Sequence, residues 1–277
     1  MNDVEFGALM QQFERDGFVL LPPLDQSQTA HIEKAVDEVW RRQTNGDETA
    51  SLKLDNAVMQ HQAFLDIIVD PLILEAVVQH FGYGAQLHQF NVTVRPYRGQ
   101  DAETTFTDGI DWHADGPRPR QFPLTNNQFA LYYLKVGLFL SDLTHGNGGA
   151  LQVVPGSHRL PEWCKDKTYD LSQHEIVTLD VPAGSRVLFH QALWHAAFPN
   201  RSTVTRKAIY YSYSPFWLRP IDRSGFDEAA LRDKNVTPLM RQLLSDFERP
   251  LDFWLPKIDD LPLKHWHDAQ QAELATV

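Results

Sequence analysis

A single cysteine, Cys164, stands in 277 residues, so no internal disulfide is possible; that usage suits a reducing compartment. No apolar run approaches the roughly 18–20 residues that span a membrane. Basic residues are scarce: 25 Lys and Arg face 36 Asp and Glu, a net charge of −11. That sign disfavours nucleic acid or an anionic membrane as partner, while leaving room for a local basic pocket that takes a small anion. The opening MNDVEFGALMQQFERDGF is acidic and helical in pattern, without the basic and then apolar regions of a secretory signal. A cytoplasmic location is the expectation. No internal repeat, low-complexity linker or convincing domain boundary is visible.

What is present is a chain 43% apolar and 11% aromatic, enough for a large core. Helical periodicity covers 5–15, a stretch from Ser27 to about Arg42, and 62–81, the last interrupted at Pro71. From 84 the pattern changes. Segments 85–95, 105–113, 128–141, 149–154, 174–180, 185–190 and 206–214 are short, β-branched or aromatic, and separated by Gly, Pro, Asn and Asp. Such strands in close succession indicate a sandwich or jelly roll. Residues 226–248 return to helical spacing, and the polar tail after Ala269 is expected to fray. The economical reading is mainly β with flanking helices, one domain over 1–277: a helical part to about 83, a β-core over 84–215, and a helical part over 216–277.

The chemistry concentrates at His113-Ala114-Asp115, then His195, then Arg206 eleven positions on. Positions i and i+2 of a strand share a face. Two imidazoles and one carboxylate cover one face of a metal and leave the other open, the arrangement of non-haem Fe(II) oxygenases. The blander alternative is that Asp115 caps a turn and His195 is a packed imidazole. His190, five residues before His195, competes as ligand, second partner or core residue. Trp194 reads as a wall of the site and His158 as a loop hydrogen-bonder. Arg206 opens the β-rich run RKAIYYSYS; it reads as a fork for a carboxylate, or as a surface arginine at a strand entrance. Lys207 faces the other way if this is a strand.

Together FERDGFVLLPPL, DWHAD, GGALQVVPGSHR and LFHQALWHAAFPNRSTVTRKA resemble the phytanoyl-CoA dioxygenase family of Fe(II)/2-oxoglutarate oxygenases. The resemblance covers most of the chain. It implies a double-stranded β-helix, the cupin-like jelly roll, with helices outside. It places metal ligands on His113, Asp115 and His195 and the 2-oxoglutarate arginine on Arg206. It further suggests co-substrate contacts at Lys53 and Asn91, either of which is otherwise an ordinary surface or sheet residue. Around the mouth fall Arg95, Arg98, Arg118, Arg120 and Arg219, with Trp112, Phe106, Tyr213 and Trp217 as an apolar wall or core. Of these, Trp112, Arg118, Arg120 and Trp217 are the substrate candidates. The segments 97–111, 117–128 and 132–135 match no pattern, and substrate identity rests on them.

The resemblance implies a hydroxylase that uses Fe(II), 2-oxoglutarate and O2, releases succinate and CO2, and oxidises an unactivated C–H of a small molecule. The local arginines read either as a site for a carboxylate or phosphate of an anionic substrate or as solvated loops. Because Asp115 is present, no ligand position is vacated for chloride. Desaturation, epoxidation and cyclisation share the same iron chemistry. A non-catalytic metal-binding jelly roll and a hydroxylase acting on a partner protein are the alternatives; Arg206 and Lys53 argue against the first.

Overall fold

Capping side chains fix where the helices begin. The structure, a computed structural model, describes residues 2–97, 112–115, 129–146, 148–160, 171–221, 227–246 and 257–274. Helix α1 (Asp3–Asp16) starts with a capping box in which Asn2 and Glu5 exchange backbone-to-side-chain bonds at 2.9 and 3.1 Å. It ends at Gly17, whose φ of 78° is the left-handed cap conformation. A Cβ at Gly17 would lie 2.4 Å from Nδ1 of His158, so glycine is required twice over. The second helix, α2 (Gln26–Gln43), is capped by Asp25 with Gln28 rather than by Ser27. The helical stretch over 62–81 is two helices, α3 (Gln62–Ile67) and α4 (Pro71–Phe81). Asp70 caps the second, and Pro71 sits where a missing amide costs nothing.

The strands are β1 (Phe18–Leu21), β2 (Leu52–Leu54), β3 (Ala85–Arg95), β4 (Leu134–Phe139), β5 (Leu151–Val153), β6 (Val177–Leu179), β7 (Arg186–His190), β8 (His195–Ala197) and β9 (Arg206–Pro215). Of the expected strand 105–113, all but the last two positions fall outside the described residues. Strand β8 was not expected; at three residues, without β-branching, it gives no local signal.

Contacts divide the chain into two compact units, Met1–Leu54 with Val92–Tyr210, and Asp55–Asn91 with Tyr211–Val277. In the first, a sheet of order β1-β7-β4-β9-β3-β2 accompanies a smaller one of order β6-β5-β8; β3 and β9 continue as chain into the second unit. The pairs β1–β7, β4–β7, β2–β3, β5–β6 and β5–β8 are antiparallel. A core of Phe18, Phe139, Val187, Phe189 and Ala208 from the larger sheet packs with Leu151, Val153 and Leu179 from the smaller. Burying each such side chain contributes about 1.5–3 kcal/mol.

The second unit holds α3, α4 and the helices α5 (Glu228–Leu231), α6 (Pro238–Leu243) and α7 (Pro262–Leu274). Thr237 caps α6 and Pro238 restarts the helix, so the expected stretch 226–248 is broken into short pieces. The tail is helical to Leu274 instead of fraying after Ala269. Gln242 ties this unit together: its amide nitrogen donates to the carbonyls of Tyr83 (2.8 Å) and Ala85 (3.2 Å), and its oxygen accepts from Leu263 (2.9 Å). Among the described residues no helix is long and apolar enough to cross a membrane.

Candidate metal centre

His113 and His195 stand opposite each other in an isolated antiparallel bridge. The amide of His113 donates to the carbonyl of His195 at 3.0 Å, and the reverse bond is 2.8 Å. His195 is itself held on β8 by pairing with Val153 of β5. Two residues beyond His113, Asp115 turns its carboxylate between the two rings: Oδ1 is 3.8 Å from His113 Nε2, and Oδ2 is 3.7 Å from His195 Nε2. One ligand atom from each of the three lies within 4.8 Å of the others. His113 is half-exposed, whereas His195 is buried against the edge of the Phe189 ring.

The electrostatics suit these groups to holding a cation. His195 Nδ1 donates to the Leu193 carbonyl at 2.8 Å, which fixes the tautomer and leaves Nε2 with a free lone pair. Burial, the largest influence, pushes the His195 pKa down to about 4, only partly offset by Asp115. Burial by itself would raise the Asp115 carboxyl; Lys135 above all, then His195 and His113, hold it below the ordinary carboxylate range. Lys135 Nζ donates to Asp115 Oδ2. Tyr133, buried and exposed to the Asp115 charge, has its phenol pushed up.

Arg206 lies in the same unit, 2% exposed at the start of β9. Nη2 donates to the Tyr210 hydroxyl at 2.9 Å, the guanidinium covers the Phe139 ring at 5.9 Å, and Nε has no hydrogen-bond partner. No carboxylate among the described residues pairs with it. The Arg95 guanidinium is depressed by burial first and then by the positive charge of Arg206. Lys207 leaves by the opposite face and binds Glu33 (2.8 Å) and Asp37 (3.0 Å) on α2, as strand alternation demands.

His190 is no part of the cluster. Its Nδ1 accepts from the Ala192 amide at 3.0 Å, and its ring lies against Phe13 and His158. His158 bonds the Glu14 carbonyl. Trp194 and Trp112 pack with Val154, Ala114 and Leu160. Lys53 is exposed on β2, paired in register with Thr93. Asn91 is buried on β3, and Trp217 and Arg219 are exposed, all three in the second unit. Tyr213 is core rather than pocket wall; its hydroxyl bonds the Ile68 carbonyl at 2.7 Å. Arg98, Phe106, Arg118 and Arg120 lie outside the described residues. The residue that sequence reasoning missed is Lys135. Its signal was a lysine in the middle of an otherwise apolar strand, LKVGLF, where an ammonium is buried only for a partner.

Two imidazoles and a carboxylate suit a divalent transition metal, and the unpartnered Nε of a buried arginine suits an incoming carboxylate. The fold is the jelly roll of 2-oxoglutarate oxygenases. The solved structure titled epimerase SnoN in complex with Fe3+, alpha ketoglutarate and nogalamycin RO aligns at TM-score 0.62 and 20% identity, covering 82% of this chain and 93% of that one. EctD from S. alaskensis with 2-oxoglutarate and 5-hydroxyectoine aligns at 0.59 and 18%, covering 85% and 88%.

The family model for phytanoyl-CoA dioxygenase (PhyH) matches residues 13–208, and the chain belongs to that family. A probable alpha-ketoglutarate-dependent hypophosphite dioxygenase of Stutzerimonas stutzeri is 25% identical over 188 residues, 61% of this chain and 59% of that protein. The uncharacterized protein Rv1501 of Mycobacterium tuberculosis is 31% identical over 157 residues, 56% and 50% of the two. The chain thus spans 59% or less of the length of these curated relatives.

Proposed function

We propose that the protein is an Fe(II)- and 2-oxoglutarate-dependent oxygenase that hydroxylates an unactivated C–H of a small, anionic molecule. The carrying observation is the conjunction, in one unit, of the His113–Asp115–His195 cluster with a buried arginine whose Nε has no partner. A module that only bound metal would gain nothing from that arginine. His113, Asp115 and His195 hold the iron; Arg206 pairs with the distal carboxylate of 2-oxoglutarate, with Tyr210 fixing one side of its guanidinium. When bound, the iron and 2-oxoglutarate supply the oxidising power, with dioxygen consumed and succinate and CO2 released. The protein's own part would be to orient the co-substrate, to keep His195 neutral for its ligand role, and to hold the His195 ring in place against Phe189. The name of the Stutzerimonas relative, which gives an inorganic anion as substrate, supports the anionic class.

The test is to mix anaerobic protein with Fe(II) and 2-oxoglutarate and look for a visible charge-transfer band, then admit air and measure succinate. A folded, metal-replete protein without the band is not of this class. A second outcome of the same chemistry, epimerisation or ring closure, is supported by the fold shared with the epimerase SnoN and the carbocyclase SnoK. Product mass separates the two: hydroxylation adds an oxygen atom, and these reactions do not.

A further inference from the structure

Strand β4 is buried along its whole length, and Lys135 is buried with it, 8% exposed. Removing an ammonium from water costs several kcal/mol unless it is paired. The one carboxylate paired with Lys135 among the described residues is that of Asp115. Two aromatic rings lie near it as well: Nζ is 5.4 Å from the centre of the Phe189 ring and 5.6 Å from that of Tyr210. Tyr210 is also the residue whose hydroxyl takes Nη2 of Arg206. One tyrosine therefore touches both buried cations.

Among the described residues Asp115 is also the one acid of the metal cluster. Once it serves a dication, its charge no longer offsets that of Lys135. The site then holds a dication, an ammonium and a guanidinium against one carboxylate. A dicarboxylate co-substrate offsets part of this and leaves a positive excess around two buried cations. Buried charge of one sign is met by a ligand of the other.

We propose that Lys135 is a second anion-recognition cation of this site, released from Asp115 when metal is loaded and then paired with a carboxylate or other oxyanion of a bound ligand. The proposal rests on the oxygenase reading for its metal, but the anion itself arrives with either the co-substrate or the substrate. The side chain has the reach for both roles, since four methylenes carry its charge and only Nζ needs to move.

Calorimetry on protein loaded with redox-inert Ni(II) tests it, using 2-oxoglutarate, 2-oxovalerate (which lacks the distal carboxylate) and inorganic phosphate as probes. Lys135→Met is compared with Lys135→Gln, which keeps the length and polarity of the side chain should the first fold poorly, and with Lys135→Arg. A lost charge-assisted bond weakens binding about ten- to a hundredfold, and Lys135→Arg recovers most of it. A loss for 2-oxoglutarate but not for 2-oxovalerate assigns Lys135 to the co-substrate's distal carboxylate. An unchanged 2-oxoglutarate affinity with a lost phosphate affinity assigns it to an anionic substrate. Wild-type protein that binds phosphate through Lys135 yet ignores 2-oxoglutarate would remove the oxygenase reading and leave the anion site standing. If folded Lys135→Met or Lys135→Gln binds every probe within about twofold of wild type, Lys135 is a structural counter-ion of Asp115 and the proposal is overturned.

Discussion

The Nδ1 of His195 donates to the carbonyl of Leu193, two residues back on its own chain, at 2.8 Å. A carbonyl accepts only, so the proton resides on Nδ1 and Nε2 is left to face Asp115 and His113. The orientation of the ring is thus set by the turn that precedes β8, before any metal is considered. His195→Ala should lower Ni(II) affinity beyond the roughly 10–100-fold typical of losing an outer partner of a ligand. His190→Ala should leave affinity within a few-fold and lower the melting temperature instead, because it empties a place against Phe13 and His158. Equal loss of metal in both variants, each folded, would mean that the ligand has been misassigned.

Arg206→Ala should weaken 2-oxoglutarate binding steeply while metal still binds. Truncating one partner of a buried charged pair costs about 2–5 kcal/mol, or roughly 30- to several-thousand-fold. Arg206→Lys should restore only part of this, since one ammonium does not reproduce the fork. Lys207→Ala, next along the chain, should leave the co-substrate untouched and cost about 1 kcal/mol of stability through the lost contacts to Glu33 and Asp37. Titration of 2-oxoglutarate beside thermal melts reads all three.

Gly149 has φ +78°, and a Cβ there would sit 3.0 Å from both Cδ of Arg206 and the carbonyl oxygen of Phe198. Gly149→Ala should cost about 1–2 kcal/mol from the left-handed backbone alone. It should also raise the 2-oxoglutarate dissociation constant by displacing the arginine. Lost stability with an unaltered dissociation constant would show that Arg206 adapts.

Acid should destabilise the metal-free protein well above the pH at which carboxylates protonate. His195 and His158 are both pushed down to about 4 in the fold, burial being the largest cause in each. Their unfolded value is near 6.5, so the unfolded chain binds more protons between pH 6.5 and 4. Stability is complete above pH 6.5 and falls as pH drops toward 4. Asp115, depressed in the fold, adds a further loss below its unfolded value of about 3.9. Melts of chelator-treated protein should show the decline, and His158→Gln should make it shallower. A melting temperature flat from pH 7 to 4.5 would contradict the buried neutral state of these rings.

That His113, Asp115 and His195 come together was legible because residue type and spacing suggest it, and strand alternation alone turned Lys207 outward. The break at Pro71 was legible for a similar reason: an aspartate followed by proline is a helix start on local grounds. Lys135 was not, since nothing local says whether a strand lysine points at solvent or at a buried carboxylate. Tyr213 as core, rather than pocket wall, depends on the Ile68 carbonyl, 145 positions away in sequence. The resemblance favoured His195 over His190, and the packing separates them: His190 ends β7 against Phe13 and His158, whereas His195 on β8 bridges His113.

The bridge between His113 and His195 joins two residues far apart in the chain, and its paired amide bonds belong to the residues whose rings are the proposed metal ligands. A metal resting on both rings would act as a clasp on the bridge, and opening of the bridge would be an escape route for the metal that leaves the rest of the sheets intact. Metal lifetime would then follow the local opening rate at His113 and His195 rather than global stability. Amide exchange at those two positions, slowed by metal out of proportion to the remainder of the sheets, is how such a clasp would be seen.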